Sequence, residues 1–354
     1  MNKGIFERIS KTNHEQIVYC NDKSSGLKAI IAIHNTILGP ALGGCRMYPY
    51  KNEHDALVDV LRLSRGMTYK ASIANLNLGG GKAVIIADPA SDKSEVLLRS
   101  FGKFVESLNG AYITAEDVGM SVHDMEFIRM ETNHVTGITR AMGGSGDPSI
   151  LTGYGVFVGM QAALKKRLGI TSMRDLKVGI QGFGNVGYNL CKHLHEAGAI
   201  IYGYDIDQEK LDNVVNTFGV IPVSNEKLIS LDLDVFSPCA LGAVINPDSI
   251  KKLKCSIIAG AANNQLEEES RDSKLLLSKK IMYVPDYVIN AGGLMNVANE
   301  LQGYNKEKAR YQVEGIYHIL MRIFDYAATN NISTLEAANL LAERRVDEFI
   351  KWHH

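Results

Sequence analysis

One stretch constrains the fold more than any other: GIQGFGNVGYN, residues 179–189, which contains Gly182-x-Gly184-x-x-Gly187. In a chain with 33 glycines the pattern alone is weak. Its flanks give it weight. Leu176–Gln181 reads as an apolar strand, Val186, Leu190, Leu194 and Ala197 recur on one face of a following helix, and a second strand ends at Asp205. Each glycine then has a separate physical task. Gly182 permits the tight turn, Gly184 lets the backbone approach a pyrophosphate, and Gly187 lets the helix lie close to the strand. The helix N-terminus offers free N–H groups and partial positive charge. Asp205 is placed to accept hydrogen bonds from both hydroxyls of an adenine ribose and to repel a 2′-phosphate, which favours NAD over NADP.

The alternation continues beyond Asp205. DQEKLDNVVNTFG reads as a helix, and DVFSPCA, SIIAGAA and IMYVPD as further strands with short helical pieces between them. Strands alternating with helices at this spacing predict a parallel sheet covered on both faces. A single core rarely grows past ~250–300 residues, so 354 residues leave room for a second domain. AMGGSGDPS, residues 141–149, is the most loop-like stretch and marks the inter-domain hinge. A helix over 152–167 follows it. The expected fold class is therefore α/β with two domains, an N-terminal one over residues 1–145 and a Rossmann-type NAD-binding domain over residues 146–329. From about Glu307 the chain reads as two long helices, the second opening at Ser333–Thr334, and the segment 330–354 is expected to pack back on the first domain.

Bulk properties exclude several function classes. Lysine plus arginine (38) nearly cancels aspartate plus glutamate (39), so no basic field attracts nucleic acid. No segment reaches the ~18 uninterrupted apolar residues of a membrane span. The N-terminus, MNKGIFERISKTNHEQ, carries charges inside any would-be apolar core and is not read as a signal peptide. Five scattered cysteines without CxxC spacing argue against zinc and against a disulfide framework, and fit a reducing cytoplasm. The terminal WHH is not read as a metal site, and no metal is expected.

The first third mixes strands and helices. LKAIIAIHNT (27–36) is a strand candidate and GPALGG (39–44) a tight turn. Asn52 is a plausible N-cap for a helix with Ala56, Leu57, Val60, Leu61 and Ser64 at helical spacing. KSEVLLRSFGKFVESLNG is an amphipathic helix with Leu97, Leu98, Phe101, Phe104, Val105 and Leu108 on one face. Between them lies LGGGKAVIIAD (78–88), three glycines and a lysine before a short buried strand. It superficially suggests a phosphate loop. That pattern needs G-x-x-x-x-G-K-[ST] with a helix after it. Here Leu76 stands at the first glycine, Ala83 replaces the hydroxyl, and a strand follows, so the phosphate-loop reading fails.

If the second domain carries the dinucleotide, the first should carry the chemistry. Lys70 in GMTYK and Lys82 in GGGK each sit at the edge of a glycine-rich or strand-like element, and Asp117 follows the strand AYITAED. Taken singly, each lysine reads as a solvated surface residue. Their company alters that. LGPALGGCRM (38–47), RGMTYK (65–70), LNLGGGKAVI (76–85), ITAEDVG (113–119), GFGNVG (182–187), PCALGA (238–243), GAANNQL (260–266) and PDYVINAGG (285–293) occur in one order along the whole chain. In these motifs the sequence resembles the glutamate/leucine/phenylalanine/valine dehydrogenases, NAD(P)-dependent amino-acid dehydrogenases, and most closely the branched-chain and phenylalanine members.

The resemblance implies that a cleft separates the two domains and that the first, residues 1–145, is a substrate and catalytic domain with a mixed sheet. It also implies roles for particular residues. Lys70 binds the substrate α-carboxylate, Lys82 is the general acid/base, and Asp117 assists at the amine. Gly182, Gly184, Asn185, Val186, Gly187 and Asp205 hold NAD, with Cys239 and Ala240 beside them. Thr152 helps hold the nicotinamide, and Asn263 lies where cofactor and substrate meet. The chemistry needs such a set. Hydride leaves Cα for the nicotinamide, water attacks the resulting iminium, and a carbinolamine loses ammonia. Lys70 supplies a point charge for the carboxylate. A solvated lysine, with pKa ~10.4, deprotonates water poorly. Burial and a neighbouring cation, for which Lys70 serves, bring Lys82 toward the working pH. The hinge would let the two domains close and limit water.

Specificity is read from Leu42, Ala115, Leu294 and Val297, the apolar residues expected to line the side-chain pocket where glutamate-specific relatives have a basic group. Leu294 and Val297 are i,i+3 on one helix. Ala115 resembles the leucine enzymes, whereas Leu294 and GGSGDPS resemble the phenylalanine enzymes. Leucine, with valine and isoleucine, is the preferred substrate class, and phenylalanine is the alternative. A catalytically silent NAD-binding regulator is a remote third reading, since Lys70, Lys82 and Asp117 are all present. The family resemblance also implies a homo-oligomer, octamers being common among the leucine enzymes.

Overall fold

The computed structural model describes residues 5–353 and divides into two compact units. The first comprises Met1–Asp147, Val297–Lys306 and Ala342–His354, and the second Pro148–Asn296 and Glu307–Leu341.

The first unit runs α1 (Ile5–Thr12), β1 (Gln16–Asp22), β2 (Leu27–Asn35), β3 (Ala41–Leu42), β4 (Cys45–Tyr48), α2 (Glu53–Ile73), β5 (Gly79–Ile86), α3 (Glu95–Glu106), β6 (Tyr112–Ile113) and α4 (Val122–Arg129). Its sheet is mixed, in the order β1-β2-β5-β3-β6 with β4 also on β5. β1 and β5 are antiparallel to β2, whereas β3 and β4 run parallel to β5. Alternation along the strands sorts side chains to two faces. Ile31, Ile33, Ala83 and Ile85 meet Leu97, Phe101 and Val105 of α3 on one face. Ile30, Ala32 and Val84 meet Ala56, Leu57, Val60 and Leu61 of α2 on the other. Asn52 caps α2, its side chain accepting from the Asp55 amide, as the sequence suggests.

Two readings of this region need correction. GPALGG is not simply a turn: its centre, Ala41–Leu42, is a parallel strand buried between β5 and β6. The three glycines of GGGK do not precede the strand but form its first half. They are there for internal packing. A Cβ on Gly80 would lie 2.1 Å from the Thr68 amide of α2, and one on Gly81 2.6 Å from the Tyr112 ring. The run therefore lets α2 and β6 press onto β5.

The second unit contains α5 (Ser149–Leu168), β7 (Lys177–Gln181), α6 (Asn185–Glu196), β8 (Ile200–Tyr204), α7 (Gln208–Phe218), β9 (Ile221–Pro222), α8 (Asn225–Ser230), β10 (Val235–Pro238), α9 (Pro247–Lys252), β11 (Ile257–Ile258), α10 (Glu269–Ser278), β12 (Met282–Tyr283) and α11 (Asp286–Ile289). The helices α12 (Gly292–Ala298), α13 (Lys306–Glu314), α14 (Ile316–Asn330) and α15 (Thr334–His353) complete the chain. The sheet is wholly parallel, in the order β12-β11-β10-β7-β8-β9. The first strand of this unit thus sits at the centre, and the order reverses between β7 and β10. That is the doubly wound arrangement with strand order 3-2-1-4-5-6. The two long terminal helices expected from Glu307 are three, because the first is interrupted at Gly315 between α13 and α14.

Candidate active site

Lys82 lies midway along β5, paired with Ala32 of β2, so its side chain emerges on the α2 face beside Val84. It is 6% exposed. Burying an ammonium is costly unless it is paired, and its Nζ sits 2.9 Å from Asp117 Oδ2. Asp117 follows the segment in which Thr114 bridges to Val135 and Glu116 to Cys45, so the sheet edge fixes its backbone. The same Oδ2 accepts a hydrogen bond from Arg46 Nε at 3.0 Å. Burial alone would raise the Asp117 carboxyl, but Lys82 and Arg46 outweigh it and hold it below the usual carboxylate value. Lys70, by contrast, stands in the last turn of α2 and not on a strand-like element. The charge paired directly with Lys82 is the anion Asp117.

Arg46 was not singled out in the sequence. It is the one charged residue of β4, between buried Cys45 and Met47, and its register partner is Val84, on the α2 face. Its Nη1 donates to Asp59 Oδ2 at 2.9 Å, while Tyr50 and Arg62 hold Asp59 at 2.7 and 3.0 Å. Lys82 and Arg46 are thus balanced by Asp117 and Asp59. An arginine breaking an apolar strand motif was the available signal, but Asp117 lies too far along the chain for any local pattern to pair them.

Leu42 shares this neighbourhood. It pairs with Gly80 on one side and Ile113 on the other, on the face that carries Lys82. Leu42 and Ala115 are buried in the first unit, as is Val297; Leu294 is buried in the second.

In the second unit, Gly182, Gly184, Asn185, Val186 and Gly187 form the β7–α6 turn. Gly182 has φ +100°, which a side chain disfavours. A Cβ on Gly182 would meet the Ala240 Cβ at 2.6 Å, so the turn lies against the segment Cys239–Ala240 after β10, at the reversal of strand order. A Cβ on Gly187 would fall 2.1 Å from the Gly182 carbonyl oxygen, whereas at Gly184 nothing lies within 4 Å. Gly184 is the N-cap of α6 and brings no side-chain cap, so the first amides of α6 face outward. This donor set fits a pyrophosphate. Asp205 accepts from the Phe183 amide at 2.6 Å and the Asp207 amide at 2.9 Å. Asn263 is exposed and accepts from Asn290 Nδ2 at 2.7 Å; Asn290 also donates to the Ala261 carbonyl. Thr152, in the first turn of α5, donates to the Pro148 carbonyl. Among the described residues no group of three or more His, Cys, Asp or Glu could hold a metal ion, and no helix is long and apolar enough to cross a membrane.

One unit is doubly wound with a glycine turn at its switch point, and the other holds a buried lysine–aspartate pair, features that suit a dehydrogenase. The family comparisons agree. The model for the Glu/Leu/Phe/Val dehydrogenase dimerisation domain matches residues 14–134, and that for the glutamate/leucine/phenylalanine/valine dehydrogenases matches 143–208 and 204–353. The chain belongs to this family of amino-acid dehydrogenases. It is 53% identical over 343 residues to leucine dehydrogenase of Thermoactinomyces intermedius, covering 97% of this chain and 93% of that protein. It is 50% identical over 342 residues to L-tryptophan dehydrogenase of Nostoc punctiforme, covering 97% and 96%. The crystal structure of the Nostoc punctiforme enzyme superposes with a TM-score of 0.86 at 48% identity, covering 98% of this chain and 99% of that one.

Proposed function

We propose that the protein catalyses the reversible, NAD-dependent oxidative deamination of a branched-chain L-amino acid, leucine with valine and isoleucine, to the 2-oxo acid and ammonia. The observation that carries this reading is the buried Lys82 ammonium 2.9 Å from an ionised Asp117, in a chain similar to leucine dehydrogenase throughout its length. Lys70 holds the substrate carboxylate as a point charge. Lys82 takes a proton from the attacking water and later returns it to the leaving amine. Asp117 accepts a hydrogen bond from the substrate amine and stabilises positive charge on the iminium. Bound NAD supplies the acceptor for the hydride leaving Cα. Gly182, Gly184, Asn185, Val186 and Gly187 would hold its pyrophosphate, with Cys239 and Ala240 beside them, Asp205 its adenine ribose, and Thr152 and Asn263 the nicotinamide end.

The second unit is accordingly the nucleotide domain and the first the substrate domain. Leu42, Ala115, Leu294 and Val297 supply apolar selectivity. The protein works as a homo-oligomer, a reading supported by the dimerisation-domain match over residues 14–134, and its location is read as cytoplasmic. The likeness to L-tryptophan dehydrogenase favours a second reading, an aromatic amino acid as substrate. Ala115 argues for the smaller side chain, but one methylene in an apolar pocket is worth only ~1–3 kcal/mol.

NAD reduction followed by nicotinamide absorbance, with leucine, valine, isoleucine, phenylalanine, tryptophan and glutamate in parallel, tests both readings. Turnover should be fastest with leucine. A preference for an aromatic substrate overturns the pocket assignment alone, and no turnover with any of the six overturns the activity. Lys82→Ala should lower kcat by at least ~10²-fold while NAD affinity is kept.

A further inference from the structure

We propose that Arg46 is a positioning residue of this site. It fixes Asp117 through Oδ2, so that Oδ1 alone is presented to the substrate amine, and it keeps Asp117 ionised when Lys82 gives up its proton. The inference rests on Lys82 being the proton-transfer group.

The geometry is specific. Oδ2 of Asp117 receives both Lys82 Nζ (2.9 Å) and Arg46 Nε (3.0 Å), whereas Oδ1 accepts no hydrogen bond among the described residues. A carboxylate gripped by one oxygen has its plane and free lone pairs set before substrate arrives. Arg46 is itself held at its far end, with Nη1 on Asp59, and Asp59 by Tyr50 and Arg62. Only a planar fork spans the two carboxylates from different nitrogens; a lysine ammonium reaches one.

The electrostatics give the second half. During turnover Lys82 alternates between ammonium and amine. Without Arg46, the amine form of Lys82 would leave Asp117 a half-buried carboxylate with no cation, and Asp117 would itself compete for the proton. Arg46 stays charged throughout. Its charge keeps Asp117 an acceptor and, by repelling the Lys82 ammonium, eases loss of that proton. The charged and titratable groups around this pair are Cys45 and Arg46 on β4, Tyr50 after it, Asp59 and Arg62 on α2, Tyr112 on β6, Glu116 beside Asp117, Asp124 on α4, and Asp147 and Glu300 beyond Glu116. Cys45 is fully buried with its thiol pushed up by that burial, so it contributes no charge near neutrality.

Arg46→Gln and Arg46→Lys, compared by kcat, by KM for amino acid and for NAD, by the pH profile of kcat/KM for deamination and by thermal unfolding, test the proposal. Arg46→Gln should lower kcat by ~10²-fold with an unchanged KM for NAD, and move the acid limb of the profile to higher pH. Arg46→Lys should return that limb toward the wild-type position but recover only part of kcat. Folded Arg46→Gln with normal kcat, or with kcat lowered equally at all pH and the limb unmoved, overturns the proposal. If Arg46→Gln does not fold, Asp59→Asn decides, since it frees the far end of Arg46 without touching Asp117: a lowered kcat supports the anchor, and a normal one refutes it. An active Lys82→Ala would sink the assignment of Lys82 itself, whereas an inactive Lys82→Ala with normal Arg46 variants sinks only this inference.

Discussion

Asp205 accepts hydrogen bonds from the Phe183 and Asp207 amides, so its carboxylate holds the glycine turn in place, a task additional to the ribose contact proposed for it. A truncation there would disturb the loop and the ribose contact together. Asp205→Asn disturbs the loop less, because the amide oxygen still accepts one of the two N–H groups while the charge that repels a 2′-phosphate is gone. The variant should keep its NAD turnover within about tenfold and gain activity with NADP, read as the ratio of kcat/KM for the two cofactors; an unchanged ratio would argue against the assigned contact. At this scale much of the candidate site was legible. Lys82 and Asp117 are marked by motif, and the fold brings their charged atoms to 2.9 Å. Arg46 and Asp59 were not, because a salt bridge between distant segments leaves no local period in a sequence. The reason for the GGGK glycines was also hidden, since what presses on Gly80 and Gly81 comes from α2 and β6.

Among elements, α2 ends close to the chemistry, with Lys70 in its last turn, and its terminal carbonyls need partners. Arg345 of α15 meets one of them, at Ser72, and two acceptors in the loop that follows. Its Nη1 donates to the Ser72 and Leu76 carbonyls at 3.0 and 2.8 Å, and Nη2 to Asn77 Oδ1. Ser72 Oγ in turn donates to the Ala342 carbonyl at 2.7 Å. Arg345→Ala should destabilise the protein by ~1–3 kcal/mol, measured by urea unfolding, and raise the amino-acid KM more than the NAD KM. Equal effects on both would show that α2 does not depend on this tie to place Lys70. Elements with sustained periodicity were legible: β2, α2 with its Asn52 cap, α3, and the run from β7 to α7. The two-residue strand β3 was not, because two residues cannot alternate, and glycine, depleted in strands, disguised the start of β5.

For the molecule as a whole, pH acts through groups pulled in opposite directions. Burial, reinforced by Asp147, Asp117 and Glu300, raises the Glu116 carboxyl to about 7. A raised acid binds its proton more tightly in the folded state, so its contribution is full below its unfolded pKa and is lost as pH rises toward 7. Burial lowers His14 and His34 to about 4, so theirs is lost as pH falls from the ordinary histidine range toward 4. Glu116→Gln should therefore be more stable than wild type at ~pH 8, with the advantage shrinking toward ~pH 5. Urea midpoints at both values check this, and a pH-independent difference would mean the charge on Glu116 carries no cost.

The discontinuity of the first unit has a consequence for synthesis. Residues 342–353, which carry Arg345, leave the ribosome only after the whole of the second unit. Domains generally fold in order of emergence. The α2 end that bears Lys70 therefore waits, untied, while the nucleotide domain is made. A nascent chain can form its Lys82–Asp117 pair before the second unit is made, whereas the Lys70 end of α2 gains its last tie only when residues 342–353 arrive.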